Sequence, residues 1–274
     1  MHISLRERIS GSALLIVLAV FTLMPFVALL SVALSQPGTL PDGISFVGAL
    51  HWENFATAFE LAKFPTLMVS SARLVIIVVP MVLIFSTMAA YALTWLKVPG
   101  SAIFFLVFLA GLTLPTESLV TPLYITMRDL HLTNTVWSVA LPLVAMQMPF
   151  GVFWMRTHFL GVPSALEESA QVDGAGPVRT FISIQMPIAK AALSTLMVMS
   201  FLWTWNHFML TVVMIDDPSK RTVGGALAGF QGAYATDVVM LCAAALLMMV
   251  PTLLVFVAFQ RQFKQALLQG SVKG

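Results

Sequence analysis

The chain has 274 residues, of which 59% are hydrophobic and 9% charged, with a net charge of +2 and a mean hydropathy of +0.93. Soluble chains carry roughly a quarter of their residues as charges, so this composition excludes an ordinary soluble enzyme, a disordered chain and a nucleic-acid binder that relies on a basic surface. One cysteine, Cys242, excludes a disulfide framework and a multi-cysteine metal site.

A helix needs about 20 apolar residues to cross the hydrocarbon core. Six segments meet or approach that length: residues 11–34, 74–93, 98–115, 135–155, 191–215 and 238–259. The pattern predicts an all-α integral membrane protein with six transmembrane helices. The third is the shortest, because Glu117 closes it. Arg6 and Arg8 before the first run, and Ala33-Leu34-Ser35 after it, also fit a signal peptide. The run is longer than the roughly 7–15 residues of a signal core, so it reads as a span.

Six spans put both termini on one side, and the positive-inside rule chooses which. With the N-terminus inside, the inner segments hold Arg6, Arg8, Lys97, Arg156, Arg179, Lys190, Arg261, Lys264 and Lys273, against Lys63, Arg128, Lys220 and Arg221 outside. Most acids lie outside, among them Asp42, Glu53, Glu117 and Asp237. Both termini are therefore expected in the cytoplasm. The domain plan is a cytoplasmic N-terminus over 1–10, a six-helix permease domain over 11–260 with a long cytoplasmic loop at 156–190, and a cytoplasmic tail over 261–274.

In the first outer loop, Trp52, Phe55 and Phe59 fall at i, i+3 and i+7, one face of a helix. That face suits an interfacial helix packed on the bundle, or a surface that meets an external partner. Charge is almost absent from the spans. Arg73 at the outer end of the second can snorkel to the interface, and His207 is the other ionisable group at depth. The spans from 74 onward hold no acid well inside the hydrocarbon, which argues against ion coupling within them. The densest polar and aromatic cluster is Trp203-Thr204-Trp205-Asn206-His207. Its amide and imidazole can hydrogen-bond a solute and its indoles can stack on a sugar; equally, the polar groups can satisfy one another between packed helices. Gln147, before Met148-Pro149, is a second group of this kind. Pro80, Pro142, Pro149 and Pro251 each remove a backbone hydrogen bond inside a span.

The 156–190 loop is the long polar stretch on the inner side. Ser164 and Glu167 have capping-box spacing and predict a helix to about Val172. Asp173-Gly174-Ala175-Gly176-Pro177 ends it, with Gly174 placed for a left-handed turn and Pro177 for the first turn of a second helix. A rigid projection of this sort can transmit force from a soluble partner.

Glu168-Ser169-Ala170, three residues, Gly174, nine residues, then Ile184-Gln185-Met186-Pro187 resembles the EAA motif of ABC importer permeases, with Ser169 for Ala and Met186 for Leu. Trp52-Glu53-Asn54-Phe55, Ala89-Ala90-Tyr91-Ala92 and Trp205-Asn206-His207 resemble segments of the carbohydrate-uptake, maltose-type family, where His207 replaces a residue that is more often acidic or amide. Gly270-Ser271-Val272-Lys273-Gly274 is similar to the tail of that family's smaller permease subunit. The resemblance implies the type I ABC importer fold, in which this chain pairs with a paralogous permease. Its short loop helix would dock on an ABC ATPase dimer, with Glu167, Glu168, Ser169, Ala170, Asp173, Gly174, Ala175, Ile184 and Pro187 as the coupling set. The tail would enter the ATPase interface, and an extracytoplasmic solute-binding protein would deliver the solute. Gln147, Trp203, Trp205, Asn206 and His207 would be the candidate solute residues. The chain itself would bind no cofactor and catalyse nothing; ATP and Mg would sit on the ATPase. No Walker A pattern, metal cluster or nucleophile elbow is visible in the sequence. The resemblance implies a sugar importer in a bacterial or archaeal inner membrane. Another organic solute on the same architecture, such as a glycerophosphodiester, polyol or sulfonated sugar, is the second reading, and a secondary transporter the third.

Overall fold

The computed structural model describes residues 5–39, 43, 44, 46, 49–96, 98–230 and 237–271, with side chains for these apart from 5–10, 226, 229, 230 and 261–271. Lys97, Asp42 and the last three residues of the expected tail, Val272, Lys273 and Gly274, lie outside the described residues. All regular structure among the described residues is helical. Four helices are long and apolar enough to cross a membrane unbroken: 11–33, 64–95, 136–160 and 238–260. Two bent helix pairs, Ser101–Thr113 with Thr116–Asp129 at 101° and Pro177–Ile188 with Lys190–Trp205 at 78°, bring the number to six if each is counted as one broken span.

The chain divides into two compact units, one of residues 1–64 and 226–250, the other of 65–225 and 251–274. In the first unit, α1 (Leu5–Ala33) is followed by α2 (Glu53–Leu61). The apolar window of α1 is uncovered along its length. Asn54 on α2 is 1% exposed. Its Nδ2 donates to the carbonyls of Ala33 and Ser35 at 2.8 and 2.9 Å, satisfying acceptors that the end of α1 leaves open. Of the aromatic face expected to pack, Phe55 is half-buried against the cluster that includes Ala33, Ala58 and Met240, whereas its two neighbours are not covered. The buried residues of α2 are Asn54 and Ala58, while Trp52 and Phe59 are exposed. Trp52 stacks on Phe55 instead, and Phe59 meets Phe64. The reason is that Asn54, at the opposite face, is the side chain with a fixed hydrogen-bonding duty.

In the second unit, α3 (Phe64–Trp95) and α6 (Val136–Leu160) form the long members of the core. Leu74, Val78 and Val82 of α3 cluster with Val139, Leu143, Met155 and Phe159 of α6 and with Leu196 of α10 (Lys190–Trp205). Gly151 on α6 sets how close the helices come: a β-carbon there would lie 2.7 Å from Ser86 Cβ and nearer still to its Oγ. Both α3 and α6 continue through their internal prolines, Pro80 in the one and Pro142 and Pro149 in the other.

The third span ends earlier than expected. α4 (Ser101–Thr113) stops before Glu117, at Leu114, whose ψ of 126° is extended. Leu114 precedes Pro115, and the proline ring drives the preceding residue out of the helical region. A 3₁₀ turn (Thr116–Leu119) and α5 (Val120–Asp129) then leave at the 101° bend. The fifth span is also interrupted. α10 ends at Trp205, and α11 (Met209–Met214) begins after Asn206, His207 and Phe208. Asn206 caps the helix: its backbone N–H and its side-chain Nδ2 both donate to the Leu202 carbonyl, at 3.1 and 2.9 Å, and the regular ladder stops there.

Candidate functional site

The projecting loop begins where α6 ends. α7 (Ser164–Val172) follows, as the sequence predicts, but without the capping box. Pro163 is the cap residue and no side chain bonds the first turn. Glu167 is elsewhere: it is 7% exposed, turned into the bundle with Ala170. One carboxylate oxygen accepts from Tyr91 Oη on α3 at 3.0 Å. The other accepts from Gln185 Nε2 at 3.0 Å. Tyr91 Oη also lies 3.2 Å from the Pro177 carbonyl, and the Tyr91 ring packs on Phe159 and Phe181. Gln185 ends a five-residue π segment, Phe181–Gln185, between α8 (Pro177–Thr180) and α9 (Met186–Ile188).

The turn after α7 is a full Schellman motif. Gly174 has φ +75°, its N–H bonds the Gln171 carbonyl, and the Ala175 N–H reaches the Ala170 carbonyl at 2.9 Å. Pro177 opens α8, as its missing N–H allows. Glu168, Ser169, Asp173 and Gly174 are exposed, Ala175 is half-buried, and nothing lies within 4 Å of where a Gly174 β-carbon would be. Around them, Leu166, Val172, Val178 and Ile182 are exposed, Val172 at 87%. The loop therefore offers an acidic-apolar outer face on a rigid backbone. Ile184 is half-buried, and Pro187, in α9, is exposed. Gly270 and Ser271 end α12 (Val238–Ser271).

The candidate solute residues separate into two sets. Gln147 is 5% exposed, and both ends of its amide are engaged: Nε2 donates to Thr204 Oγ1 at 3.0 Å, and Oε1 accepts from Ser200 Oγ at 2.5 Å. Trp205 is buried against Phe201. Gln147 joins α6 to α10, and Trp205 packs along α10 itself; both are buried. Trp203 is 41% exposed with its ring edge-on to Phe150. Asn206 is exposed, and His207 is half-buried with an Nε2 that has no hydrogen-bond partner among the described residues. They stand at the break between α10 and α11. Non-helical backbone in a membrane bundle is tolerated where it is packed in protein or lines a water-filled cavity.

Tyr91 and Gln185 are the side chains that hold Glu167, and reading the sequence as motifs left them without a role. Helical spacing carried the signal for Glu167, since 167 and 170 fall at i and i+3 and share the inward face of α7, while 168 is exposed.

Residues 82–269 match the family described as the binding-protein-dependent transport system inner membrane component. The chain is 31% identical over 272 residues to the diacetylchitobiose uptake system permease protein of Streptomyces coelicolor, covering 95% of this chain and 87% of that protein. It is 32% identical over 270 residues to the arabinooligosaccharides transport system permease protein of Halalkalibacterium halodurans, covering 96% and 95%. It is 27% identical to the trehalose transport system permease protein of Mycobacterium tuberculosis, covering 93% of each. Its fold superposes with a TM-score of 0.77, at 20% identity, on a chain in the crystal structure of a bacterial ABC transporter involved in the import of the acidic polysaccharide alginate, covering 95% of this chain and 99% of that one.

Proposed function

Because the chain belongs to the family of binding-protein-dependent transport system inner membrane components, we propose that it is one of two permease subunits of an ATP-driven importer for a di- or oligosaccharide. The observation that carries this reading is the two-sided α7. Glu167 and Ala170 hold it to the bundle, while Glu168, Ser169 and the rigid Gly174 turn are presented to a partner. An ABC ATPase subunit docks on that face; ATP and Mg are bound there, and this chain performs no chemistry.

α7 lies on the cytoplasmic side in this reading, with both termini, in line with the Lys/Arg bias. The tail from Gly270 reaches the ATPase interface. A paralogous permease completes the pathway, and the uncovered apolar length of α1 suits contact with it or with lipid. A solute-binding protein delivers the sugar at the opposite face. Closure of the ATP-loaded dimer favours the outward-open bundle, since a ligand shifts an equilibrium only through differential affinity. Trp203, Asn206 and His207 at the helix break are the solute contacts this chain contributes. The sugar class rests on the printed substrates of the relatives, which are neutral di- and oligosaccharides.

The test is uptake into vesicles holding both permeases and the ATPase. Saccharide import that requires ATP and the binding protein supports the proposal. Import that persists without ATP and stops on collapse of an ion gradient overturns it.

A further inference from the structure

Two adjacent glutamates stand on α7, and they face opposite ways. Glu168 is exposed; Glu167 is buried within this chain. Its carboxylate is bound by two neutral donors from two separate elements, the Tyr91 hydroxyl on α3 and the Gln185 amide on the π segment that leads toward α10. No lysine, arginine or histidine pairs with it among the described residues. A carboxylate is acceptor-only and has two oxygens, so it receives both donors at once. A leucine receives neither, and an amide of the same length receives one and confronts the other with its own N–H. The residue type is therefore matched to the two donors. π segments interrupt regular helices and recur at functional sites. Here one begins directly after α8, where Gln185 is fully buried.

We propose that Glu167 is a positioning residue for transport: it joins the docking helix to α3 and to the segment entering α10, so that movement of α7 reaches both spans together. Glu168 and its neighbours grip the ATPase, whereas Glu167 carries the movement inward. The inference rests on the reading that α7 docks on an ATPase, and it concerns a separate step. Loss of Glu167 leaves a docked helix that moves without carrying the bundle. Tyr91 keeps an acceptor in that case, because the Pro177 carbonyl is 3.2 Å away.

The complete importer in vesicles gives the test, with two readouts: ATPase binding to the permease pair, and solute imported per ATP hydrolysed. Coupling between sites commonly amounts to roughly 5–150-fold, and E167Q and Q185E are each expected to lower solute per ATP about fivefold while ATPase binding stays at the wild-type level. The exchanged pair, E167Q with Q185E, is expected to restore the ratio. An amide at 167 then donates to a carboxylate at 185 and still accepts from Tyr91. Tyr91→Phe, which removes one hydroxyl, is expected to lower the ratio by a smaller factor, and it decides the matter if E167Q fails to fold. Unchanged solute per ATP in E167Q, or in Y91F where E167Q does not fold, overturns the proposal. So does a doubly exchanged variant no better than the single ones, or loss of ATPase binding in E167Q, which would make Glu167 a docking contact. Failure of the docking reading looks different: Glu168→Ala would then bind the ATPase as well as the wild type does.

Discussion

Replacing Gln147 by leucine separates a structural amide from a solute ligand. The side chain is 5% exposed and bonds Thr204 Oγ1 at 3.0 Å and Ser200 Oγ at 2.5 Å, both on α10. Leucine fills similar space and removes both bonds. Interhelical hydrogen bonds in membrane proteins contribute about 0.6 kcal/mol on average and up to about 1.7, so two give roughly 1–3 kcal/mol. The freed Ser200 and Thr204 hydroxyls can turn to carbonyls four residues back on their own helix, which limits the penalty for unpaired groups. The net loss should fall near the lower end, about 1–2 kcal/mol. Unfolding of the purified chain in detergent, followed by tryptophan fluorescence, measures it. Transport by the assembled importer should keep its KM and its range of saccharides. The reasoning is refuted if stability is unchanged while KM or solute range shifts, because Gln147 would then line the pathway. Asn206→Ala is the counterpart: exposed and at the helix break, it should change KM with little change in stability.

Gly151→Ala should destabilise the chain by about 1–3 kcal/mol through overpacking, since its new β-carbon meets Ser86; adding Ser86→Gly should recover most of that loss in the same unfolding assay. Gly174→Ala should cost about 1–2 kcal/mol for its left-handed conformation, an effect local to the loop, and should weaken binding of the ATPase in a co-purification titration. Asn54→Ala should lose about 1–2 kcal/mol, as two buried hydrogen bonds to the end of α1 disappear; earlier proteolysis between α1 and α2 would register the loosening.

Much of the projecting loop was legible because its signals are local. The 164–172 helix, the Gly174 turn and the Pro177 start depend on backbone preferences that neighbouring residues set. The spans were legible as hydropathy, but their breaks were not. Hydropathy averages over the window and is blind to one residue such as Asn206, which caps the helix with its backbone N–H and its side-chain amide on the same Leu202 carbonyl. The break at Leu114 was readable in principle from Pro115, although the charge of Glu117 drew the boundary at Pro115, one residue later. The sequence also places Glu167 and Glu168 in one coupling set. What distinguishes them is which face of α7 the bundle covers, and that depends on Tyr91 and Gln185, 76 and 18 residues away in the chain. The same holds for Gln147, whose chemistry suits a sugar as well as it suits Thr204 and Ser200; only packing assigned it to the latter. Trp52 and Phe59 show the converse, an apolar stripe with correct helical spacing that is left exposed because Asn54 fixes the opposite face inward.

The central claim is that the outer face of α7 is gripped by an ATPase. A cysteine placed at Ser169, which is exposed on that face, in a chain whose buried Cys242 is replaced by serine, tests it most directly. In vesicles containing the assembled importer, a maleimide should label position 169 rapidly when the ATPase has been stripped away and slowly when it is bound. Glu168→Ala should reopen the site to the reagent in the presence of the ATPase. Labelling at the same rate with and without the ATPase would contradict the account.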